Sequence, residues 1–305
     1  MKVVLVSHCS ALKAGGEPAA KLRVNALPRG SVREVANEWR RRVRSARRRV
    51  CAQDLYRGAG AGLMRDVRES FGGAWYIVSA GHGLVNCRAR IPSYDLSVSR
   101  GPSSVLRRLK GPARRSSDWW KALTSGNPNP LKRLVERECE ALVVIALSAR
   151  YLSMVKHELA LLSDRALRQV RIVGVRPEAL TPRLRKAAMP YDRRLNSSRS
   201  GASGGEVTFA QRAAVHFLNI CKKAKALARD CVHHARLVTR ALSPLRSPRR
   251  KRRTKVSDAR IMGLIRRVKR TSLRTLHGGL RWLRHEQGIA CEQSRFARLW
   301  AKAKA

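Results

Sequence analysis

A chain of 305 residues with 44% apolar composition can fill one large domain or two modest ones, which excludes disorder throughout. Sixty-six Lys and Arg against 20 Asp and Glu leave a formal charge of +46, which excludes basic partners and makes nucleic acid the expected one, DNA ahead of RNA. A codon bias that scatters arginine over every solvated face is the competing source of that charge.

In chain order, "KVVLVS" (2–7) predicts a strand, 31–49 and 62–71 helices, "AWYIVSA" (74–80) a strand, and 118–138 a helix. "ALVVIALS" (141–148) and "VRIVGV" (170–175) predict two more strands, with a helix over 148–166 between them. Nearly continuous apolar strands alternating with helices specify an α/β fold: a mostly parallel sheet flanked by helices, in a Rossmann-like three-layer arrangement. Residues 15–34 and the following "RRRVRSARRRV" are poorly patterned and read as an inserted, mobile excursion. Residues 208–242 carry one helical stripe through Phe209, Ala213, Phe217, Ile220, Leu227 and Val238.

Two segments read as linkers. Residues 195–206 are Gly/Ser-rich and expected to be flexible. Residues 243–255 join two Ser-Pro breaks to Arg249, Arg250, Lys251, Arg252 and Arg253, a self-repelling basic tether expected to hold nucleic acid. The expected division is an α/β domain over 1–220, a helix and tether over 221–255, and a basic module over 256–305. From residue 221 onward, 25 basic residues face 4 acidic ones. Helices are expected over 257–269, 272–286 and 291–302, with Ser257 and Thr271 as N-caps, Gly288 as a stop and a helix-turn-helix-like "GIA" connection. Leu273, Leu276, Leu280, Leu283, Phe296, Leu299 and Trp300 would form the core. Arg274, Arg281, Arg284, Arg295, Arg298 and Gln293 would meet phosphates or base edges; a helical cap with an Arg-rich face is the alternative.

Seven scattered cysteines without a C-x-x-C spacing imply neither a disulfide framework nor a zinc ribbon and fit a reduced cytoplasm. The opening apolar run is too short for a signal peptide and no run is long enough to span a bilayer, so neither export nor a membrane partner is expected. No G-x-x-x-x-G-K-[ST] occurs, and "GAGAGL" does not fit a dinucleotide fingerprint. Cys221, Cys231, His233 and His234, placed on one helix, cannot close a tetrahedron, so no metal and no cofactor is expected.

Three polar loops leave the predicted strands: "SHCS" (7–10), "SAGHG" (79–83) and "SARY" (148–151). Ligands of open α/β sheets gather at such strand ends, so these loops are expected to converge on a nucleotide- or nucleobase-sized pocket. Ser7, Tyr56, Ser79, Tyr94 and Ser148 would bind the ligand. His82 would carry a proton near neutral pH, Cys9 would be the nucleophile, and Asp54 or Asp95 would orient the substrate. Against this stand plainer readings: His82 as turn punctuation, Cys9 as a small buried hydrophobe, Tyr56 as core.

The order "VLVSHCS", "AQDLYRG", "WYIVSAGHGLV", "IPSYD", "VVIALSARY" resembles a bacterial and phage family of unknown function over residues 1–220. Its pattern is an opening strand ending in Ser-Cys with nearby lysines, then A-x-x-LY, W-x-I-L-S-A-K-x-G-L and P-Y-D. That family is distantly similar to the peroxide-stress protein YaaA. The resemblance implies a fold and a pocket rather than a reaction. The family's turn lysine is Gly81 here, with His82 beside it, and the lysines after the first cysteine are replaced up to Lys13. Two readings follow: a nucleic-acid-associated protein with a nucleotide pocket that performs base or nucleotide modification, or a non-catalytic DNA- or RNA-binding regulatory or architectural protein.

Overall fold

The computed structural model of the chain describes all residues except 15–17, 48, 249–251, 270–274 and 304–305, and leaves out the side chains of 268 and 269. The chain divides into two compact units, Met1–Ser247 and Pro248–Ala305. The first unit therefore runs past residue 220 and includes the helical stretch before the tether.

In chain order the first unit contains β1 (Val3–His8), α1 (Val32–Arg44), β2 (Val50–Cys51), α2 (Ala52–Leu55), α3 (Ala59–Phe71), β3 (Ala74–Ser79), β4 (Gly83–Asn86) and β5 (Arg90–Ile91). These are followed by α4 (Ser116–Leu123), α5 (Pro130–Arg137), β6 (Leu142–Ala146), α6 (Ala149–Ala160), α7 (Asp164–Gln169), β7 (Val170–Val173), α8 (Pro182–Arg185), α9 (Phe209–Lys223) and α10 (Cys231–Leu242). One five-stranded sheet runs β4-β3-β1-β6-β7, with β4 antiparallel to β3 and the other pairs parallel. The two-residue strands β2 and β5 pair separately. Helix α3 lies against β1, β3 and α9; α9 also meets β6 and β7 and carries α10. Helix α4 packs between α6 and α1, and α6 also meets α5 and α8; the parallel crossovers of such sheets are right-handed as a rule, which places these helices on the face opposite α3 and α9. The result is a three-layer α/β fold. Its four parallel strands are the four that the apolar runs predict, and Val3–Val6 and Leu142–Ala146 are buried on both faces.

Helices depart from expectation where local chemistry breaks them. The stretch 118–138 splits into α4 and α5 because Pro128 and Pro130 cannot donate to a continuing helix, and Asn129 takes a left-handed φ of 52° between them. The stretch 148–166 stops at Ala160 and restarts after Ser163, whose hydroxyl accepts from the Ala166 amide. The single stripe over 208–242 is two helices, with Asp230 capping the second. Described residues of the supposed excursion contribute to the core: Leu22, Val24, Leu27 and Ala46 are buried, and Ser31 and Glu34 form a capping box that starts α1, which buries Val35, Ala36 and Trp39. The Gly/Ser segment 195–206 winds around the guanidinium of buried Arg212, which donates to the carbonyls of Ala202 (2.5 Å), Gly204 (3.1 Å) and Gly205 (2.9 Å) and to Asn196 Oδ1 (2.7 Å).

The second unit holds α11 (Asp258–Lys269), α12 (Leu276–His285) and α13 (Gln293–Lys302) around Ile261, Ile265, Leu280, Leu283, Phe296 and Trp300. Ser257 Oγ accepts from the Arg260 amide at 3.3 Å, as a cap should. Helix α12 is capped by Thr275, whose hydroxyl accepts from Gly278, rather than by Thr271, and Leu276 is 38% exposed rather than core. Thr271, Leu273, Arg274, Arg249, Arg250 and Lys251 lie outside the described residues. Among the described residues no helix is long and apolar enough to cross a membrane.

Candidate functional site

The connections leaving β1 and β6 run toward opposite edges of the sheet, so the gap between these neighbours is its topological switch point. His8 and Cys9 end β1, and Ser148 and Tyr151 follow β6. The His8 and Tyr151 rings stack at 4.9 Å, Cys9 Sγ lies 3.1 Å from Tyr151 Oη, and the Ser148 amide donates to His8 Nδ1 at 3.4 Å. Gln211, arriving on α9, places its amide nitrogen 3.3 Å from His8 Nε2, while its Oε1 is buried without a partner.

Beside this group, at the tip of β3, three hydroxyls form a closed triangle. The Tyr56 hydroxyl donates to Ser79 Oγ at 3.0 Å, Ser79 Oγ and Tyr94 Oη are 2.8 Å apart, and the two tyrosine oxygens are 3.1 Å apart. Ser79 Oγ also accepts from the amides of Gly81 (3.2 Å) and His82 (3.1 Å), which leaves its own proton for Tyr94. Lys13 places its Nζ 4.3 Å from the centre of the Tyr94 ring, and His82 meets the same ring edge-on at 4.7 Å. Two indoles close the turn: Trp39 Nε1 donates to the Gly81 carbonyl at 2.7 Å and Trp119 Nε1 to that of Ala80 at 2.8 Å. A Cβ on Gly81 would come within 2.5 Å of Tyr94 Cε2, so a lysine at this point of the turn requires Tyr94 to move.

Burial sets the protonation of the group. It pushes the Tyr56, Tyr94 and Tyr151 hydroxyls well above the usual phenol range, so all three stay neutral. Burial holds His82 down at about 4, only partly offset by its hydrogen bond with the Pro92 carbonyl at 3.1 Å, while Arg49 and Lys13 lower it further. His8 is likewise held at about 4 by burial, against a hydrogen bond to the Ala146 carbonyl. Lys13 is lowered by burial, with Cys9 and Asp95 working against the shift.

The strand tips thus bring together Cys9, Tyr56, Ser79, Tyr94 and His82, with Ser148 joined through His8. They do not gather the rest. Asp54 is exposed on α2 and the Ser7 hydroxyl is taken by Trp75 Nε1 at 2.9 Å; Asp95, whose backbone pairs with Leu22 and Val24, reaches the group only through its charge on Lys13. His82 is uncharged near neutral pH, with Nε2 held by a carbonyl, which removes the basis for the expected proton carrier. The tyrosines at these strand tips are buried: Tyr56 and Tyr94 are each 1% exposed and Tyr151 8%. Sequence reasoning missed His8, Tyr151, Lys13 and Gln211 as members. Tyr151 ends the "SARY" loop and Lys13 follows the first cysteine, so both carried a signal; Gln211, 203 residues from His8, carried none.

Elsewhere, Cys221 lies on α9 and Cys231, His233 and His234 on α10. Cys231 Sγ donates to the Lys186 carbonyl at 2.8 Å, and His234 Nδ1 accepts from buried Arg171 at 2.8 Å. Among the described residues no group of three His, Cys, Asp or Glu side chains is placed to hold a metal. A cavity of about 600 Å³ opens beside β7, lined by Asp164, Arg168, Arg183, Lys186 and Cys231, but Arg183 is already bonded to Asp164 and to the Ala160 carbonyl, each at 2.7 Å. In the second unit Arg284 donates twice to the Cys291 carbonyl (3.0 and 2.7 Å), and Arg295 binds Asp258 and the Val256 carbonyl. Arg252, Arg253, Arg281, Gln293 and Arg298 are exposed. No family model, curated protein or solved structure matches the chain.

Proposed function

We propose that the chain is a nucleic-acid-associated protein that binds through its cations, with the α/β unit as scaffold rather than catalyst. The second unit carries this reading: its 58 residues hold 18 Lys and Arg against 3 Asp and Glu around one small apolar core. Arg284 and Arg295 are spent on backbone and Asp258, which leaves Arg252, Arg260, Arg266, Arg267 and Arg281 facing solvent for phosphates, with Arg298 exposed and held only by a loose 3.9 Å ion pair to Asp258. As a helix-turn-helix, α12 and α13 would lay α13 in a major groove with exposed Gln293 at its leading end. That geometry favours B-form DNA over RNA, whose deep, narrow major groove admits no helix. The full chain with Arg252, Arg266, Arg267, Arg281 and Arg298 changed to Ala should bind duplex DNA more weakly, with a log K against log salt slope less steep by about 4. An unchanged slope and affinity, or retention of DNA by the unaltered chain at molar salt, refutes it.

Lys13 favours a second reading, a nucleobase- or nucleotide-sized ligand at the strand tips and modification of it there. Burial lowers the cost of the Lys13 free amine, the form able to attack, against the opposing pull of Cys9 and Asp95. The resemblance to the family that is distantly similar to YaaA supports a pocket at these strand ends, not a reaction there. Lys13→Ala and Cys9→Ser should each lose a small molecule that co-purifies with the unaltered chain, detected by mass analysis. If the unaltered chain carries none, this reading fails.

A further inference from the structure

Strand β4 pairs with β3 on one side and forms the edge of the sheet on the other. Along that edge lie two neighbouring cavities, about 400 Å³ and about 220 Å³, which share Leu84, Asn127 and Pro130 and so form one trough. Two arginine pairs line it, each spaced four residues along a helix and therefore on one helical face: Arg40 and Arg44 from α1, Arg133 and Arg137 from α5. Arg44 and Arg133 are exposed and make no side-chain bond among the described residues, whereas the half-buried Arg40 donates to Ser125 and Asn37 and so lends the rim its charge rather than free donors. The nearby acids are engaged: Glu136 with Lys132 at 2.6 Å, and Glu138 with Lys2 at 2.7 Å and Arg137 at 3.7 Å. Between the cations the lining is apolar and aromatic, with Leu84, Leu134 and Tyr76, whose hydroxyl accepts from Arg137 at 3.1 Å.

We propose that this trough is a binding channel for single-stranded nucleic acid, the two arginine pairs holding its phosphates while its bases lie against Tyr76 and Leu84. A cationic rim around an aromatic floor matches how single strands are held, because an unpaired base offers a free face to stack. A duplex turns its bases inward and would use the rim alone. The proposal rests on the nucleic-acid reading above but assigns the α/β unit a contact of its own, separate from the second unit.

The test compares a short oligothymidylate with a duplex of equal length on the full chain. Arg133→Ala/Arg137→Ala should weaken single-strand binding about tenfold and flatten its salt slope by about 1.4, with duplex binding changed less than twofold. The charge-matched variant Arg107→Ala/Arg114→Ala, at exposed positions away from the trough, should change both ligands equally and little. Tyr76→Phe should bind the single strand as the unaltered chain does, and Tyr76→Ala should weaken it without altering the slope. Groove and control variants that behave alike, or a duplex or polyglutamate that competes as well as the single strand, overturn the channel while leaving DNA binding by the second unit intact. Failure of the unaltered chain to bind either oligonucleotide overturns both.

Discussion

His8, His82 and His234 are held neutral by where they sit, and each makes hydrogen bonds suited to a neutral ring. His82 Nε2 faces the Pro92 carbonyl; His234 Nδ1 accepts from Arg171 while its Nε2 donates to the Ala226 carbonyl at 2.8 Å. Burial lowers all three, His8 and His82 to about 4. In the unfolded chain each would take up a proton near its ordinary 6.5. Their stabilising effect is therefore complete above pH 6.5 and is lost as pH falls below it, for His8 and His82 toward 4. For His82 alone the loss by pH 5 is about 2 kcal/mol. Urea midpoints at pH 7 and pH 5 should drop further in the unaltered chain than in His82→Gln, which has no proton to gain. Equal drops would mean that the ring is protonated in the folded protein. The same burial that removes His82 from proton-transfer chemistry makes it a contributor to acid sensitivity.

At the scale of elements, Glu158 ties three helices together. From α6 its fully buried carboxylate accepts from Trp120 Nε1 of α4 and from the first amides of α5, Leu131 at 2.7 Å and Lys132 at 3.1 Å. It serves as the cap that α5 lacks, since Asn129 makes no side-chain cap bond. Glu158→Gln keeps the volume but turns one acceptor into a donor facing a donor, at a cost of about 1–3 kcal/mol. Thermal unfolding should then begin a few degrees lower, with an unchanged fold by circular dichroism. An unshifted transition would show that these helices are held by apolar packing alone. Because α4 and α5 flank the trough at the edge of β4, the same link also positions Arg133.

For the molecule as a whole, positive charge outweighs every other feature. A field of +46 gathers polyanions from a distance whatever the source of its arginines. What separates a binding surface from a composition bias is whether particular arginines matter more than others. Arg171, Arg183, Arg212, Arg284 and Arg295 spend their donors inside the fold, on carbonyls and acids. Arg44, Arg133, Arg266 and Arg281 face outward. The salt slopes proposed above read this division directly, because only the second group can release counterions from a phosphate backbone.

Continuous apolar runs determined the four parallel strands, since a strand covered on both faces needs apolar residues at every position, and that pattern is local. Local chemistry held further signals that the helix reading passed over: Ser31 and Glu34 at capping-box spacing, and Pro128 and Pro130 before α5. Strand β4 escaped notice because only four residues follow the turn and its partner is β3 across it. The strand-tip cluster was legible in part: its loops could be named, but whether they held a ligand or each other depended on Tyr56, Tyr94, Tyr151 and Trp39 arriving from segments up to 142 residues away. Burial, and with it the charge state of His82, and the choice of which arginines are consumed by carbonyls, are properties of neighbours brought together in space, so only the tertiary structure decided them.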